Sequence, residues 1–128
     1  MQTLQKKKPK VLVVDDHNPI LAALKLRLEH ANYEVVVAHD NLSACVKARE
    51  SNPDIALLDI DLPDGNGFDL SEKLDQLSTK TLPKVFITAS KSEGLRKQAE
   101  YRGAVDFIEK PFTCESLLAA IEEAELRV

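Results

Sequence analysis

Acidic residues follow two of the apolar runs in this 128-residue sequence. Asp15 and Asp16 come directly after "VLVV", and Asp59 comes directly after "IALL". Three carboxylates that converge on one spot repel each other and raise at least one pKa unless a cation lies among them. Mg²⁺ suits such a group because it prefers oxygen ligands and keeps several of its waters. The acidic residues therefore predict a divalent cation site, for Mg²⁺ or Mn²⁺.

A hydroxyl and a fixed positive charge follow two later apolar runs. Thr88 ends "KVFIT", and Lys110 ends "DFIEK". In phosphoryl transfer, a metal ion and a Lys neutralise charge, a hydroxyl holds an oxygen, and a carboxylate can attack to give an acyl phosphate. Any one of these residues alone is weak evidence, since Asp often forms turns and caps at strand ends. Their combination favours a phosphoryl-transfer site.

The elements that must position these residues are alternating strands and helices. Each of the first four β-branched runs is followed by a segment with helical spacing, which predicts strict alternation of β and α. The predicted strands lie in "KVLVVDD", "EVVVAH", "DIALLDI", "KVFITA" and "VDFIEK". Runs that are apolar on both faces suit a parallel sheet covered by helices on both sides. We predict an α/β fold, a (βα)5 doubly wound five-stranded parallel sheet, with ligands bound beyond the carboxyl ends of its strands.

The predicted helices carry end signals. Asn18 is expected to cap the first helix, with Pro19 in its first turn. Asp64 is expected to cap the third helix or to turn the loop into it, and Thr113 is expected to cap the fifth. Gly103 is expected to stop the fourth helix. The apolar side of the first helix is predicted to contain Ile20, Leu21, Leu24, Leu28 and Ala31.

Length, charge and cysteine spacing exclude several classes of protein. The chain suits one domain, predicted over residues 10–128, preceded by a flexible basic tail at residues 1–9. Its net charge of −4 gives no general attraction to nucleic acid or to an anionic membrane. No apolar run approaches the roughly 20 residues of a membrane span. Cys45 and Cys114 match no disulfide framework or zinc site, so a reduced, cytoplasmic chain is expected.

Four motifs, in their order and at their separations, carry a resemblance to a known family. They are "VLVVDDH", "ALLDIDLPDGNGFDL", "VFITAS" and "GAVDFIEKPF". Over about residues 10–126 they resemble the receiver domain of two-component response regulators. The resemblance implies a flavodoxin-like sheet with strand order 2-1-3-4-5. It also implies that Asp59 accepts a phosphoryl group from a sensor histidine kinase or a histidine phosphotransferase.

The resemblance further implies a ligand set for the metal ion. Asp16 would bind Mg²⁺ directly and Asp15 through water, while Asp59 and the backbone carbonyl of Asp61 complete the protein ligands. The side chain of Asp61 is expected to point outward beside the phosphorylation site. Asp61 and Ser90 are expected to tune the rate of dephosphorylation.

By the same resemblance, three other residues form the switch. Thr88 turns toward the phosphoryl group, Phe107 turns inward with it, and Lys110 provides a salt-bridging cation. The bond between Lys110 and Pro111 is expected to be cis. Phosphorylation is expected to change the face formed by the fourth helix, fifth strand and fifth helix. That face would meet a downstream output domain or protein, or a second copy in a phosphorylation-dependent homodimer.

Other functions fit parts of the pattern. Asp59 and Asp61 also resemble the DxD signature of haloacid-dehalogenase-type phosphatases, but in that family the metal-binding acid pair should follow the Lys. A flavodoxin-like FMN binder lacks its phosphate loop here, because "DDHNP" would repel an anion. A purely interacting pseudo-receiver would not need the complete acid, Thr and Lys set. We therefore expect a switch with self-catalysed phosphoryl transfer and autodephosphorylation, acting alone or as the receiver of a longer regulator.

Overall fold

The computed structural model describes residues 8–78 and 80–128, so most of the predicted basic tail lies outside the described residues. The strands of the main sheet are β1 (Lys10–Val14), β2 (Glu34–Ala38), β3 (Ile55–Asp59), β4 (Lys84–Thr88) and β5 (Asp106–Glu109). The helices are α1 (Asn18–His30), α2 (Asn41–Ser51), α3 (Gly67–Leu77), α4 (Glu93–Tyr101) and α5 (Cys114–Glu125). Strands and helices alternate along the chain as predicted.

The five strands form one parallel sheet in the order β2-β1-β3-β4-β5, which confirms the predicted fold and strand order. The central strands β1 and β3 are neighbours, with Val14 opposite Leu58. The residues that follow this pair, Asp15 and Asp59, therefore lie at the same edge of the sheet. A separate antiparallel hairpin, which pairs Asp61–Leu62 with Gly65–Asn66, follows β3. No pattern in the sequence predicts this hairpin.

Successive strand residues alternate between two cores, one on each face of the sheet. The core covered by α1 and α5 includes Val11, Val13, Ile55 and Leu57. The core covered by α2, α3 and α4 includes Leu12, Val14, Ala56 and Leu58. Because β3 is buried along its whole length, its run "IALL" is apolar without interruption. Because both faces of the sheet are packed, the positions of the strand ends are fixed, and so are the positions of the polar residues that follow them.

The start of α1 differs from the prediction. Asn18 is the first helical residue rather than the cap, and the cap position belongs to His17, whose side chain makes no capping hydrogen bond within the described chain. The backbone N–H of His17 instead donates to Asp15 Oδ1 at 3.0 Å. Because this bond turns the chain directly after β1, the helix begins one residue earlier than expected. Pro19 lies in the first turn, as predicted.

The apolar side of α1 is shorter than predicted. Leu21, Leu24 and Leu28 are buried in the core. Ile20 is half-buried, and Ala31 lies exposed just beyond the end of the helix.

Two of the other predicted helix ends are confirmed. Of the two roles predicted for Asp64, the cap is wrong, but Asp64 does lie in the turn that leads into α3. The Thr113 hydroxyl accepts a hydrogen bond from the first turn of α5, and Gly103 follows α4 with a φ of 75°. Asn66, rather than Asp64, caps α3. Asp64 cannot take that place because Gly65 and Asn66 are still paired in the hairpin, and α3 begins only after them, at Gly67.

Candidate functional site

Three carboxylates converge at the carboxyl edge of the sheet. One oxygen each from Asp15, Asp16 and Asp59 lies within 4.8 Å of the others. Asp15 and Asp16 follow β1, and Asp59 ends β3, so the pairing of these two strands brings them together. Asp15 and Asp59 are buried, whereas Asp16 is exposed. The cluster predicted from the sequence is present, with one carboxylate open to solvent.

Lys110 bridges the two buried carboxylates. Its Nζ lies 2.8 Å from Asp15 Oδ2 and 3.0 Å from Asp59 Oδ2. The backbone N–H of Lys110 donates to the carbonyl of Thr88 at 2.8 Å, which continues the β4–β5 pairing past the end of β5. The Lys110–Pro111 peptide bond is cis, as the resemblance implies. Burial alone would lower the pKa of Lys110, but its hydrogen bonds to the two carboxylates raise it above the ordinary value.

The surroundings of Asp59 raise the pKa of its carboxylate. Burial raises its pKa to about 6, and the charge of Asp15 acts in the same direction. Hydrogen bonds from the Asp61 backbone N–H and from Lys110 oppose this rise. A carboxylate with little hydration beside a second one is stabilised by a nearby cation. The all-oxygen donor set therefore fits a hard divalent ion such as Mg²⁺.

Asp61 connects Asp59 to Thr88. The Asp61 backbone N–H donates to Asp59 Oδ1 at 2.9 Å, and its carboxylate Oδ2 accepts a hydrogen bond from the Thr88 hydroxyl at 3.3 Å. The side chain of Asp61 is exposed, in line with its expected outward direction, but it is also bound to Thr88. Thr88 itself is fully buried, and its Oγ1 accepts a hydrogen bond from the N–H of Ser90 at 3.0 Å. The site therefore extends from the acid cluster to the end of β4.

The loop after Asp59 is held close to the sheet. The N–H of Ile60 donates to the carbonyl of Ile87, and the N–H of Gly67 donates to the carbonyl of Ile60. A Cβ atom at Gly67 would overlap the carbonyl oxygen of Asp59. Glycine is therefore required at the first position of α3 by the close approach of the backbone at the site.

The contacts of two side chains near the site, Arg96 and Asp64, were not found from the sequence. The Arg96 guanidinium lies 4.9 Å from the centroid of the Phe107 ring, and Arg96 also pairs with Glu109 at 3.5 Å. The Asp64 carboxylate bonds to the first turn of α2. These contacts join different elements of the chain, and no motif marks them. Phe107 is already buried, whereas the resemblance implies that it turns inward on phosphorylation.

Comparisons with known proteins agree with this site. The sequence profile of the response regulator receiver domain matches residues 11–122. The chain belongs to the family of response regulator receiver domains. Members of this family are signalling switches that bind Mg²⁺ through acidic residues, and this structure has an acidic cluster of Asp15, Asp16 and Asp59 that could hold a metal ion.

Individual relatives cover nearly the whole chain. Response regulator ArlR of Staphylococcus saprophyticus is 40% identical over 114 residues, which are 88% of this chain and 50% of ArlR. Transcriptional regulatory protein KdpE of Mycobacterium tuberculosis is 35% identical over 117 residues, which are 91% of this chain and 51% of KdpE. The chain thus spans about half the length of these relatives.

A solved structure has the same fold. The non-phosphorylated HemR receiver domain from Leptospira biflexa superposes with a TM-score of 0.83 and is 38% identical, covering 91% of this chain and 94% of that one.

Within the described residues, no helix is both long enough and apolar enough to cross a bilayer.

Proposed function

We propose that this chain is the Mg²⁺-dependent phosphoacceptor of a histidine–aspartate phosphorelay, with Asp59 as the residue that is phosphorylated. The observation that carries the proposal is the position of Lys110, whose Nζ contacts both Asp15 and Asp59 beside the exposed carboxylate of Asp16. This arrangement places the buried carboxylate of Asp59, the proposed nucleophile, among oxygen ligands and beside a fixed positive charge. Those are the parts that phosphoryl transfer needs.

The donor would be a phosphohistidine of a sensor kinase or of a histidine phosphotransferase. A carboxylate oxygen of Asp59 attacks phosphorus, a P–O bond forms, and the P–N bond to the imidazole breaks. The histidine leaves with the electron pair of that bond and takes up a proton. The Asp61 backbone N–H and Lys110 orient the attacking carboxylate through their hydrogen bonds.

Asp15, Asp16, Asp59 and the backbone carbonyl of Asp61 would hold the metal ion. Bound Mg²⁺ neutralises negative charge on the transferring group and lowers the repulsion among the carboxylates. Lys110 then has an ammonium group within reach of a phosphoryl oxygen, because it already contacts Asp59.

The switch would start at the Thr88 hydroxyl, which has one proton to donate. In the structure that proton is directed to Asp61, so a phosphoryl group on Asp59 must compete for it. Movement of Thr88 would be transmitted to Phe107 on the neighbouring strand β5, since Phe107 pairs with Phe86 of β4. The Arg96 side chain packs on the Phe107 ring and would move with it. The α4–β5–α5 face would thereby change for an output domain, an output protein or a second copy.

The lifetime of the phosphorylated state would be set by attack of water on phosphorus. Asp61 and Ser90 stand on either side of Thr88 and are exposed, so both can influence that water. The transfer and the hydrolysis are both carried out by residues of this chain.

The net charge of −4 supports a protein partner rather than nucleic acid, and the compartment that supplies a kinase and free Mg²⁺ is the cytoplasm.

The proposal is tested by intact-mass measurement after incubation with acetyl phosphate and Mg²⁺. We expect one phosphoryl adduct on the wild-type chain, and none with Asp59→Asn or with the metal removed by chelation. An adduct that forms equally on Asp59→Asn would overturn the assignment of the acceptor. Continuous turnover of phosphate esters without an adduct would favour the phosphatase instead.

A further inference from the structure

Asp64 binds the start of a helix other than the one that follows it. Its Oδ1 accepts a hydrogen bond from the Asn41 backbone N–H at 2.7 Å, and its Oδ2 accepts one from the Leu42 N–H at 3.1 Å. These N–H groups belong to the first turn of α2, where backbone donors have no partner within the helix. A single carboxylate thus ties the loop after Asp59 to α2, across more than 20 residues of sequence.

The hairpin connects Asp64 rigidly to the phosphoacceptor site. Asp61 pairs with Asn66, and Leu62 pairs with Gly65, so Asp64 stands at the tip of a closed turn. At the base of the same turn, the Asp61 N–H holds Asp59 Oδ1. A displacement of the tip must therefore be accommodated at Asp61.

Gly65 adds a second contact between the tip and α2. Its φ is 148°, and a Cβ atom there would lie 2.8 Å from Nδ2 of Asn41, whose side chain is buried. The turn consequently fits against α2 only with glycine at this position. The polar contact at Asp64 and the close packing at Gly65 act on the same helix turn.

The charge of Asp64 suits this place. The backbone N–H groups of Asn41 and Leu42 hold its pKa below the ordinary value, so the carboxylate is ionised at neutral pH. A negative charge at a helix N-terminus is also favoured by the helix dipole. At neutral pH, Asp64 therefore contacts the Asn41 and Leu42 N–H groups as a charged carboxylate, with one oxygen for each donor.

We propose that Asp64 is a positioning residue for phosphoryl transfer, because its bonds to α2 fix the hairpin that sets the place of Asp61. Asp61 in turn orients the Asp59 carboxylate through its N–H and, by the proposed function on which this part rests, supplies a carbonyl ligand to Mg²⁺. Asp64 touches neither the phosphoryl group nor the metal ion. Its effect reaches the site through the backbone of the hairpin.

A second cap on the same helix provides a matched control. The Asp40 carboxylate accepts a hydrogen bond from the Ser43 N–H at 2.7 Å, but Asp40 belongs to the loop after β2. Asp64→Ala and Asp40→Ala therefore each remove one carboxylate from the first turn of α2. Of the two, Asp64→Ala alone releases the hairpin.

The test compares the two variants by amide hydrogen exchange and by calorimetric titration with MgCl₂. We expect Asp64→Ala to speed exchange of the Asp61 and Gly67 N–H groups and to raise the Mg²⁺ dissociation constant by about threefold to tenfold, the factor for losing a hydrogen bond of ordinary strength. Asp40→Ala should leave both quantities within about twofold of the wild-type values. Asp64→Asn keeps one acceptor oxygen and should fall between the wild type and Asp64→Ala.

Two outcomes would overturn the proposal: unchanged exchange at Asp61 in Asp64→Ala, or equal effects of Asp64→Ala and Asp40→Ala. If Asp64→Ala fails to fold, the same comparison with Asp64→Asn decides. Absence of Mg²⁺ binding by the wild-type chain would contradict the proposed function, and the exchange data would then still decide whether Asp64 holds the hairpin.

Discussion

The Thr88 hydroxyl donates a hydrogen bond to Asp61 Oδ2 at 3.3 Å, although 27 residues separate them in the chain. Thr88 is fully buried, and its oxygen also accepts from the Ser90 N–H, so its one proton and one of its two lone pairs are engaged. The same Asp61 holds Asp59 through its backbone N–H. The residue two positions after the proposed acceptor thus connects the acceptor to the proposed switch.

This relationship gives a prediction for Asp61. Asp61→Ala frees the Thr88 hydroxyl for the phosphoryl group and removes a carboxylate that can bind the attacking water. We expect the phosphoryl group to be lost about threefold more slowly, or slower still, in line with the strength of one hydrogen bond. The decay of the adduct is followed by intact mass after the donor is removed. Asp61→Asn keeps an acceptor oxygen, so its decay rate should lie between those of the wild type and Asp61→Ala. If Asp61→Ala decays at the wild-type rate, Asp61 does not compete with the phosphoryl group for the Thr88 hydroxyl.

Thr88 should couple the site to the distant face without being needed for phosphorylation itself. Thr88→Ala is expected to accept a phosphoryl group on Asp59 but to lose the change in amide hydrogen exchange that phosphorylation causes in α4, β5 and α5. Thr88→Ser retains the hydroxyl and should retain the change. If the exchange pattern of that face responds equally in Thr88→Ala, the hydroxyl is not the link.

The raised pKa of Asp59 predicts how stability depends on pH. With a pKa of about 6 in the folded chain, against an ordinary value of 3.8, the folded state binds the proton more tightly than the unfolded state does. The free energy of unfolding, measured without metal, should therefore fall as pH rises from about 4 through about 6. Each unit of pKa difference corresponds to about 1.4 kcal/mol, so the decline should be on the order of 3 kcal/mol.

Asp59→Asn provides the control for this pH dependence. The variant cannot ionise at residue 59, so without metal it should be more stable than the wild type at pH values above about 6. Addition of Mg²⁺ should stabilise the wild type more than the variant, because the proposed site includes the carboxylate of Asp59. Denaturant unfolding with and without a chelator measures both effects; parallel pH curves for the two chains would contradict the prediction.

Gly67 should tolerate no side chain. Gly67→Ala places a methyl group against the Asp59 carbonyl oxygen, and overpacking of this kind costs about 1–3 kcal/mol of unfolding free energy. Gly94→Ala is the matched control, since a Cβ atom in α4 meets Ser92 Oγ at an ordinary 3.5 Å. Alanine there should be neutral or stabilising by roughly 0.5–1 kcal/mol. Equal loss of stability in both variants, measured by denaturant unfolding, would show that the close approach at Asp59 is not the cause.

The parts of the site that the sequence could predict are those that follow from strand order. A parallel sheet brings the carboxyl ends of its strands to one edge, so Asp15, Asp59, Thr88 and Lys110 could be grouped once the apolar runs were recognised. The spacing of each residue relative to its own strand is local information. It is also nearly independent of how the loops fold.

The parts that could not be predicted depend on how a particular turn is closed. Asp64 and Asn66 are both good capping residues, and only the pairing of Leu62 with Gly65 decides which one reaches α3. The early start of α1 likewise depends on the bond between His17 and Asp15. The Arg96 contact with Phe107 joins a helix face to a strand through side chains whose direction no spacing rule gives.

The most direct test of the central claim locates the phosphoryl group on the chain. After incubation with acetyl phosphate and Mg²⁺, borohydride reduces an aspartyl phosphate to homoserine, and peptide mass spectrometry then identifies the altered residue. We predict homoserine at position 59 alone, and at no position when Mg²⁺ is chelated. Homoserine at Asp15, Asp16 or Asp61 instead, or its formation without metal, would contradict the assignment of Asp59 as the Mg²⁺-dependent acceptor.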